Sequence, residues 1–308
     1  MDALIGGGED RVSFEDVDQQ FHLKIRALIP LCMPPIFRQW EKMLQISTMR
    51  DEGIVPIMFR LHFETYPNPL AFTGKLATHH QVRLARCITP AGAGQEADER
   101  LLLDMQIDVE GAEIGSGQMA LGGANSTGRM VPAGLMRGVH VITRPMAPPS
   151  GRRVVEVPRQ LREMKEHAWQ GPYPSMEDML EIPAGFTPAN TGTWAEQPSV
   201  WGLSNTDINQ HVNVLEYIAH LENHFSRMLH GAGLPVDRHR TAVADFHFRK
   251  PSFQGDAHVI RAQLWVSGNR TLMLGGFHLV SPSGEVDTRA TVFGRLEGVI
   301  APEGERHH

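Results

Sequence analysis

The sequence predicts an α+β protein made of two similar halves, each with a central helix lying on a curled antiparallel sheet. Two observations lead to this class. Each half reads as one helical segment followed by four strand-like runs, and an irregular stretch separates the two halves. A helix followed by a run of antiparallel strands is typical of α+β folds, and the repeated order indicates an internal duplication. The 308 residues are enough for two ordinary domains.

The first half is predicted to form a domain over residues 10–123. A helix is expected over 23–49, and the prolines at 30, 34 and 35 are expected to break or restart it. Alternation of apolar and polar residues, visible in VPIMFRLHF and LLLDMQIDV, predicts the strands that follow. These strands are expected over 57–65, 74–88, 100–109 and 113–121.

The segment 124–198 between the halves is rich in Pro, Gly and Arg. Only one short charged helix, over 159–167, is predicted within it. Because the segment is too long for a simple loop, we expect it to cross between the domains and cover an edge of a sheet.

The second half is predicted to form a domain over 199–298, with a helix over 212–229. Its apolar residues recur at three- and four-residue steps, and the glycines at 231 and 233 are suited to ending it. Strands are expected over 242–249, 257–267, 271–281 and 286–296, with a hairpin turn at 282–284. Each half has an exposed sheet edge, so the two halves are expected to pair edge to edge.

Composition narrows the classes of function. The chain has 41% hydrophobic and 21% charged residues and a net charge of −6, which argues against a nucleic-acid-binding protein. No run of about 18 apolar residues and no secretory signal is present, so we expect a cytoplasmic protein without a membrane span. The two cysteines, Cys32 and Cys87, fit a reducing cytoplasm, and their spacing matches no metal site. We expect buried structural thiols rather than a catalytic cysteine.

The segment from Trp201 to Tyr217 is the one whose chemistry points to a reaction. It places Asp207, Asn209, His211 and Asn213 within seven residues, directly before the second-half helix. The first N–H groups of a helix can hold a carbonyl oxygen and stabilise an oxyanion, while Asp207 acts as base or nucleophile. Asp and Asn are also preferred helix caps, but one helix needs only one cap. The whole cluster therefore favours catalysis on an acyl thioester.

This motif, D-I-N-Q-H-V-N followed by Tyr217 and Ile218, resembles that of hot-dog-fold acyl thioesterases. It is most similar to the acyl-ACP thioesterase and 4-hydroxybenzoyl-CoA thioesterase types, and the run from Phe246 to Asp256 also fits the fold. The resemblance implies a double hot dog. It also implies that Asp207 is the base or nucleophile, that Asn209 and His211 polarise the thioester, and that Asn213 and Tyr217 bind substrate.

The chain departs from that family pattern at three positions. Val214 replaces the second Asn of the motif, and Pro251 and Ser252 stand where an acidic residue and a Cys are usual. Asp207 is therefore expected to work without a second carboxylate from that strand. The carboxylates of Glu216 and Glu222 lie on the helix, where an exposed position or a salt bridge is the simpler interpretation.

The first half contains a weaker copy of the motif from Phe14 to His22. Asp16, Asp18 and His22 resemble the start of other hot-dog thioesterase motifs, with Phe21 where Gly is usual. The copy suggests either a second working site or a decayed one, in which the Asp residues cap a turn and the His is structural.

The resemblance implies hydrolysis of acyl-CoA or acyl-carrier-protein thioesters in fatty-acid or polyketide metabolism, without a metal or redox cofactor. Two alternatives stay open: a dehydratase or hydratase acting on 3-hydroxyacyl or enoyl thioesters, and a non-catalytic module that binds an acyl thioester or carrier protein. A homodimer of double hot dogs is compatible with each. His220 and His224 have a spacing that metals use, but a solvated helix face is the favoured interpretation.

Overall fold

The computed structural model describes residues 1–89, 98–115, 126–170, 173–189, 194–195, 197–207 and 210–303. Three α-helices lie in these ranges: α1 (Leu28–Leu44), α2 (Ile46–Asp51) and α3 (Val214–Gly231). Short 3₁₀ helices cover Ile25–Ala27, Pro149–Gly151, Arg159–Leu161, Glu177–Met179, Leu203–Asn205 and Val236–Arg238. The strands are β1 (Leu4–Arg11), β2 (Val55–Thr65), β3 (Lys75–Thr89), β4 (Asp98–Ile114), β5 (Ser126–Thr143), β6 (Glu166–Ala168), β7 (Thr187–Pro188), β8 (Trp194–Ala195), β9 (Ser199–Val200), β10 (His239–Phe248), β11 (Ala257–Ser267), β12 (Arg270–Val280) and β13 (Val292–Ile300).

One continuous sheet joins the two halves. Its order is β1-β3-β4-β5-β2-β10-β13-β12-β11-β7, so the long strands of the second half mirror those of the first. The seam is the antiparallel pair β2–β10, in which Asp245 lies opposite His62 and Phe246 opposite Leu61. The predicted edge-to-edge pairing of the halves is therefore confirmed, and it removes two exposed edges at once.

Each half places its helix against its own part of the sheet. Helix α1 contacts β1, β3 and β5, and α3 contacts β11, β12 and β13. One apolar cluster extends from the first half through the seam into the second. The approach is so close that a Cβ at Gly294 of β13 would lie 2.6 Å from Leu221 Cδ1 of α3. The expected α+β architecture, two helices each wrapped by a curled antiparallel sheet, is thus present.

The first helical segment is broken at a different point from the one predicted. Pro34 and Pro35 lie inside α1, and the break comes at Gln45, whose φ is +46°. An internal proline costs about 3 kcal/mol. The buried side chains of Cys32, Ile36 and Trp40 bind the same helix to the core, which offsets that cost.

The predicted limits of the first domain leave out two of its strands. β1 pairs with β3, and β5 lies between β4 and β2, although most of β1 precedes residue 10 and the whole of β5 follows residue 123. Two strands are predicted over 100–109 and 113–121, but residues 98–114 form a single strand, β4. Residues 116–121 of the second run lie outside the described ranges. Gly and Pro obscure the strand pattern of β5, which is stabilised by hydrogen bonds from a partner on each side.

The connecting segment covers sheet edges, as predicted. Its strands β7 and β8 pair with β11, and its strand β6 pairs in parallel with β3. β9, directly after the segment, pairs with β11 as well. The helix predicted over 159–167 is wrong, because this stretch holds the 3₁₀ turn Arg159–Leu161 and the start of β6. Edge pairing with β3 and the ion pair of Arg86 with Glu166 override its helical composition.

The second half follows its predicted elements closely. Helix α3 and strands β10, β11 and β12 lie within a few residues of the expected ranges. The turn at 282–284 is present, with Gly284 at φ +85°, whereas β13 starts only at Val292. In the described ranges, none of the helices has the length and apolar character needed to cross a bilayer.

Candidate active site

A tight backbone loop holds the predicted motif at the start of α3. The Asp207 N–H donates to the His211 carbonyl over 3.0 Å, and the Gln210 N–H donates to the Asp207 carbonyl over 2.9 Å. Gln210 adopts a φ of +65°, which a non-glycine residue rarely does. The loop is also bound to the connection between β10 and β11, since the Val212 N–H donates to the Ser252 carbonyl over 2.9 Å.

The start of α3 is capped by Asn213. Its side-chain oxygen accepts the Leu215 N–H over 2.9 Å, so Asn213, predicted to bind substrate, also serves as the N-cap. The segment before the loop is tied to the same helix, because Asn205 accepts the Gly202 N–H and donates to Glu216 over 2.7 Å. Asn205 was not singled out from the sequence, although its side chain fixes the loop.

The predicted catalytic side chains occupy different environments. Asp207 is half-buried, whereas His211 is exposed, with its ring edge-on to Phe253 at a centroid distance of 5.2 Å. Asn209 lies outside the described residues. Tyr217 points into the interior, where only 3% of it is exposed. The structure therefore brings Asp207 and His211 to one loop and places Tyr217 behind it.

The first half repeats this loop with the same backbone hydrogen bonds. The Asp18 N–H donates to the His22 carbonyl over 2.9 Å, and the Phe21 N–H donates to the Asp18 carbonyl over 3.1 Å. Phe21, at the position where Gly is usual in the motif, has a φ of +64°. Asp18, Phe21 and His22 thus correspond to Asp207, Gln210 and His211.

The acidic side chains of this first loop bind their own backbone. Asp16 accepts the Ser13 N–H over 2.7 Å, and Asp18 accepts the N–H groups of Gln20 and His22 over 2.8 and 3.0 Å. His22 Nδ1 lies 3.4 Å from Asp18 Oδ2. Burial acts to raise the pKa of Asp18, but the His22 and backbone donors outweigh it and the pKa is lowered. These contacts suit a structural turn.

The connection between β10 and β11 faces the second loop and carries no carboxylate at the two positions, 251 and 252, where the family pattern differs. Ser252 is fully buried, and Phe253 forms a β-bridge with His211. The next carboxylate along the chain, that of Asp256, accepts the Phe253 N–H over 2.8 Å and so holds the turn. Pro251 and Ser252 therefore lie beside the motif, as the resemblance implies, without supplying a second acid.

The interior behind the second loop contains several polar aromatic side chains. Trp201 stacks on His258 at a centroid distance of 4.0 Å, and His220 lies 4.9 Å from Trp201. His224 is 1% exposed, and burial lowers its pKa to about 4, so the solvated-face interpretation of this histidine is wrong. In the ranges that the structure describes, no three or more His, Cys, Asp or Glu side chains group together to hold a metal.

Glu222 is half-buried in α3, near the seam. Burial raises its pKa to about 7, while Arg26, a hydrogen bond from Thr241 and Lys24 act in the opposite direction. The cations come from the first half and the hydroxyl from β10, so the simple exposed position expected from sequence is wrong. Both cysteines are buried, as predicted, and burial raises the pKa of Cys32 to about 12.

Solved structures of other proteins share this architecture over nearly the whole chain. An oleoyl thioesterase (putative) from Lactobacillus plantarum is 14% identical, with 98% of each chain covered and a TM-score of 0.64. An acyl-ACP thioesterase from Bacteroides thetaiotaomicron is 15% identical, covering 96% of this chain and 97% of that one, with a TM-score of 0.57. A 12:0-ACP thioesterase from Umbellularia californica is 12% identical, covering 96% and 98%, with a TM-score of 0.55.

No protein-family model matches the sequence, and no curated protein matches it either. At these identities the likeness establishes the fold. The protein has a double hot-dog fold. A fold of this kind does not by itself define a reaction.

Proposed function

We propose that the protein hydrolyses acyl thioesters of coenzyme A or an acyl carrier protein at the loop that begins α3. The observation that carries this proposal is the position of the Asp207–Asn213 motif, held by backbone hydrogen bonds at the N-terminal end of an 18-residue helix. The fold shared with the thioesterases described above supports it.

In this mechanism the helix start binds the thioester carbonyl oxygen. The first N–H groups of a helix have no intrahelical acceptor and carry partial positive charge, which favours the oxyanion of a tetrahedral intermediate. The Asn209 amide and the His211 ring hold the acyl group. Asp207 takes a proton from water as the water oxygen adds to the carbonyl carbon. Collapse then breaks the C–S bond, and the proton passes to the departing thiolate.

The second-half loop, rather than the first, is proposed to carry the reaction. His211 is exposed, whereas the side chain of His22 is 13% exposed and lies against Asp18. The carboxylate of Asp18 already accepts two backbone N–H groups. We therefore assign the first loop, with Asp16, Asp18 and His22, a structural role and regard it as a decayed copy.

The test compares equivalent substitutions in the two loops. Asp207→Asn is expected to lower thiol release from a panel of acyl-CoA and acyl-carrier-protein substrates by about 10²- to 10⁴-fold, the range for losing a general base. Asp18→Asn is expected to keep most of the activity, with some loss of stability. An active Asp207→Asn protein would contradict the assignment, and an inactive Asp18→Asn protein that is still folded would make the first loop the site.

The same assay separates the alternative functions. A dehydratase or hydratase would convert 3-hydroxyacyl or enoyl thioesters without releasing thiol. A binding module would retain the acyl thioester or carrier protein and convert neither. A cytoplasmic location, a role in fatty-acid or polyketide metabolism and a homodimer of double hot dogs belong to the same proposal, and size-exclusion chromatography with light scattering tests the last.

A further inference from the structure

Two positions of α3 carry polar side chains where the equivalent positions of α1 are apolar. Counting from the equivalent residues Asp18 and Asp207, the α1 positions Leu28 and Leu31 correspond to Tyr217 and His220 of α3. Both leucines are buried in the core. Since the two helices occupy equivalent places in their sheets, the fold itself does not require polar side chains at these positions.

Four of the side chains in the interior of the second half form what we call the Trp201 cluster: Trp201, Tyr217, Ser252 and His258. Trp201 stacks on His258 with an interplanar angle of 13°, and Tyr217 approaches Trp201 edge-on at 5.4 Å. Phe277 closes one side, 5.6 Å from Trp201 and 5.1 Å from Tyr217. The four residues of the cluster are between 0% and 3% exposed.

Each member of the cluster carries a buried polar atom, and the polar neighbour of the Tyr217 hydroxyl among the described residues is Ser252, another member. Trp201 Nε1, Tyr217 Oη, Ser252 Oγ and His258 Nδ1 make no hydrogen bond of normal geometry within the described part of the chain. Ser252 lies close enough to Tyr217 to lower the phenol pKa, but burial outweighs this and raises it. Buried polar atoms are nearly always paired, so four together indicate a place for a polar ligand group.

The cluster lies directly behind the loop that begins α3. The Ser252 carbonyl accepts the Val212 N–H over 2.9 Å, and Tyr217 is four residues beyond the N-cap Asn213. The backbone N–H of Trp201 donates to the Asp256 carbonyl over 3.1 Å, which fixes the tryptophan beside the same turn. The cluster and the start of α3 are therefore neighbours through Ser252 and Tyr217.

We propose that the Trp201 cluster is an acyl-recognition subsite that selects thioesters of oxygenated acyl groups, namely 3-hydroxyacyl and 3-oxoacyl chains, over saturated chains of equal length. This inference rests on the proposed function, because the hydrolytic site supplies the position of the carbonyl. An oxygen on the third carbon is close enough to the carbonyl to meet a group directly behind the loop.

The donors and acceptors of the cluster match such an oxygen. The indole N–H only donates, while the hydroxyls of Tyr217 and Ser252 both donate and accept. Burial lowers the pKa of His258 to about 4, so at neutral pH its ring is uncharged and offers one donor and one acceptor. A saturated chain leaves these groups unpaired, and sites built to pair a hydroxyl discriminate strongly against analogues that lack it.

The first measurement is binding, which does not depend on turnover. Non-hydrolysable thioether analogues of octanoyl-CoA and 3-hydroxyoctanoyl-CoA differ by one hydroxyl, and isothermal titration gives the ratio of their dissociation constants. We expect the hydroxylated analogue to bind about 10-fold more tightly to the wild-type protein, equivalent to about 1.4 kcal/mol. Equal binding of the two analogues would show that the cluster is not an acyl subsite.

Variants then assign the effect to named atoms. Tyr217→Phe and Ser252→Ala each remove one hydroxyl, and each is expected to bring the ratio close to 1 by weakening only the hydroxylated analogue. Tyr173→Phe is the matched control, since Tyr173 stacks on Phe59 at 4.9 Å in the first half, away from the cluster. The control should retain the wild-type ratio. If Tyr217→Phe and Ser252→Ala both fold, as judged by thermal unfolding, and keep the preference, the assignment to these hydroxyls is wrong.

Thiol release separates this inference from the proposed function. Hydrolysis of both CoA esters at equal kcat/KM, with equal binding, supports the hydrolase and contradicts the subsite. Preferential binding of the hydroxylated analogue without any thiol release supports the subsite and contradicts the hydrolase. Absence of binding and of thiol release contradicts both.

Discussion

At the scale of single residues, the clearest feature is a left-handed backbone position repeated in both loops. Gln210 and Phe21 have φ values of +65° and +64°, and both precede the histidine of their motif. This conformation reverses the chain so that the Asp N–H meets the His carbonyl. For a residue other than glycine the conformation costs of order 1 kcal/mol, which the loop hydrogen bonds offset.

The free-energy cost of the positive φ predicts how substitutions at Gln210 change the stability of the protein. The side chain is exposed, so a replacement acts mainly through the backbone. Gln210→Val should lower the free energy of unfolding by about 1–2 kcal/mol, because a β-branched residue is strongly disfavoured at positive φ. Gln210→Gly should stay within about 1 kcal/mol of the wild type.

Urea denaturation measures both changes. Gln263→Val, at an exposed position in β11, is the matched control and should cost nothing, since valine suits a strand. Equal stability of the Gln210→Val and Gln210→Gly proteins would argue against a strained loop.

Glu222 predicts a pH dependence of stability. Its folded pKa is about 7 against an ordinary 4.5, so folding takes up a proton between these values. The contribution of Glu222 to the free energy of unfolding is therefore fully present below about pH 4.5 and is lost as the pH rises through 7. Arg26 and Lys24 are the charged groups that face it and limit the shift.

The variant Glu222→Gln removes this titration. We expect it to gain stability relative to the wild type between pH 4.5 and pH 7, by on the order of 1 kcal/mol, with a constant difference at higher pH. Thermal unfolding across this range measures the effect. Glu285→Gln, at an exposed turn, is the control for loss of a carboxylate away from the seam. A pH-independent difference for Glu222→Gln would contradict the assignment.

At the scale of elements, a charged network crosses the seam between β2 and β10. Asp245 of β10 lies 3.1 Å from His62 Nδ1 and 3.4 Å from Arg60, both on β2. Burial acts to lower the pKa of His62, but its hydrogen bonds and attraction to Asp245, and then to Glu64 of β2, outweigh this and raise it. The pKa of Asp245 is lowered, because these partners outweigh the effect of its burial. The network specifies the register of the seam.

The network stabilises the seam only over a limited range of pH. The contribution of His62 is full below its ordinary pKa of 6.5 and is lost as the pH rises through the raised value. The contribution of Asp245 is present above 3.8 and is lost as the pH falls through the lowered value. Between these limits both groups stabilise the seam.

A double-mutant cycle with His62→Gln and Asp245→Asn tests the pair. The coupling energy is expected to be about 1–2 kcal/mol at pH 5.5, because both groups are largely shielded from solvent, and to fall at pH 8.5. Arg60 keeps its own attraction to Asp245 at both values of pH. A coupling energy that stays constant between pH 5.5 and 8.5 would exclude the charged His62–Asp245 pair.

At the scale of the whole molecule, the continuous sheet makes the two halves one folding unit. Phe63 of β2 and Phe246 of β10 meet across the seam at 6.2 Å, and both are fully buried. The apolar cluster contains residues of both halves, so neither half keeps its core if the seam opens. Unfolding is therefore expected to be cooperative across the seam.

Phe246→Ala tests this cooperativity. Truncation of a fully buried phenylalanine is expected to cost about 3–5 kcal/mol. Trp40 lies in the first half and Trp201 in the second. Variants in which one of these two is the single remaining tryptophan therefore follow each half by fluorescence. The two probes should move to the same lower denaturant midpoint; loss of the second-half signal alone would mean that the halves unfold independently.

Much of the fold could be read from local patterns. The helix of the second half follows from the apolar stripe of α3, and its strands β11 and β12 follow from apolar runs bounded by turn residues. The motif loop was recognised because Asp, Asn and His are concentrated before one helix. The duplication was visible as a repeated order of elements. These features depend on residues close together in the chain.

The other features depended on partners distant in sequence, and tertiary structure decided them. β5 is a strand because β4 and β2 satisfy its backbone on both sides, and α1 continues through two prolines because its apolar face is buried. The Trp201 cluster gathers residues that stand up to 57 positions apart, from 201 to 258. Glu222 gains its raised pKa from burial near a seam that joins residues of both halves. The sequence by itself determined which groups are present and the order of the elements; packing determined which groups meet, because burial and charge act through space and not along the chain.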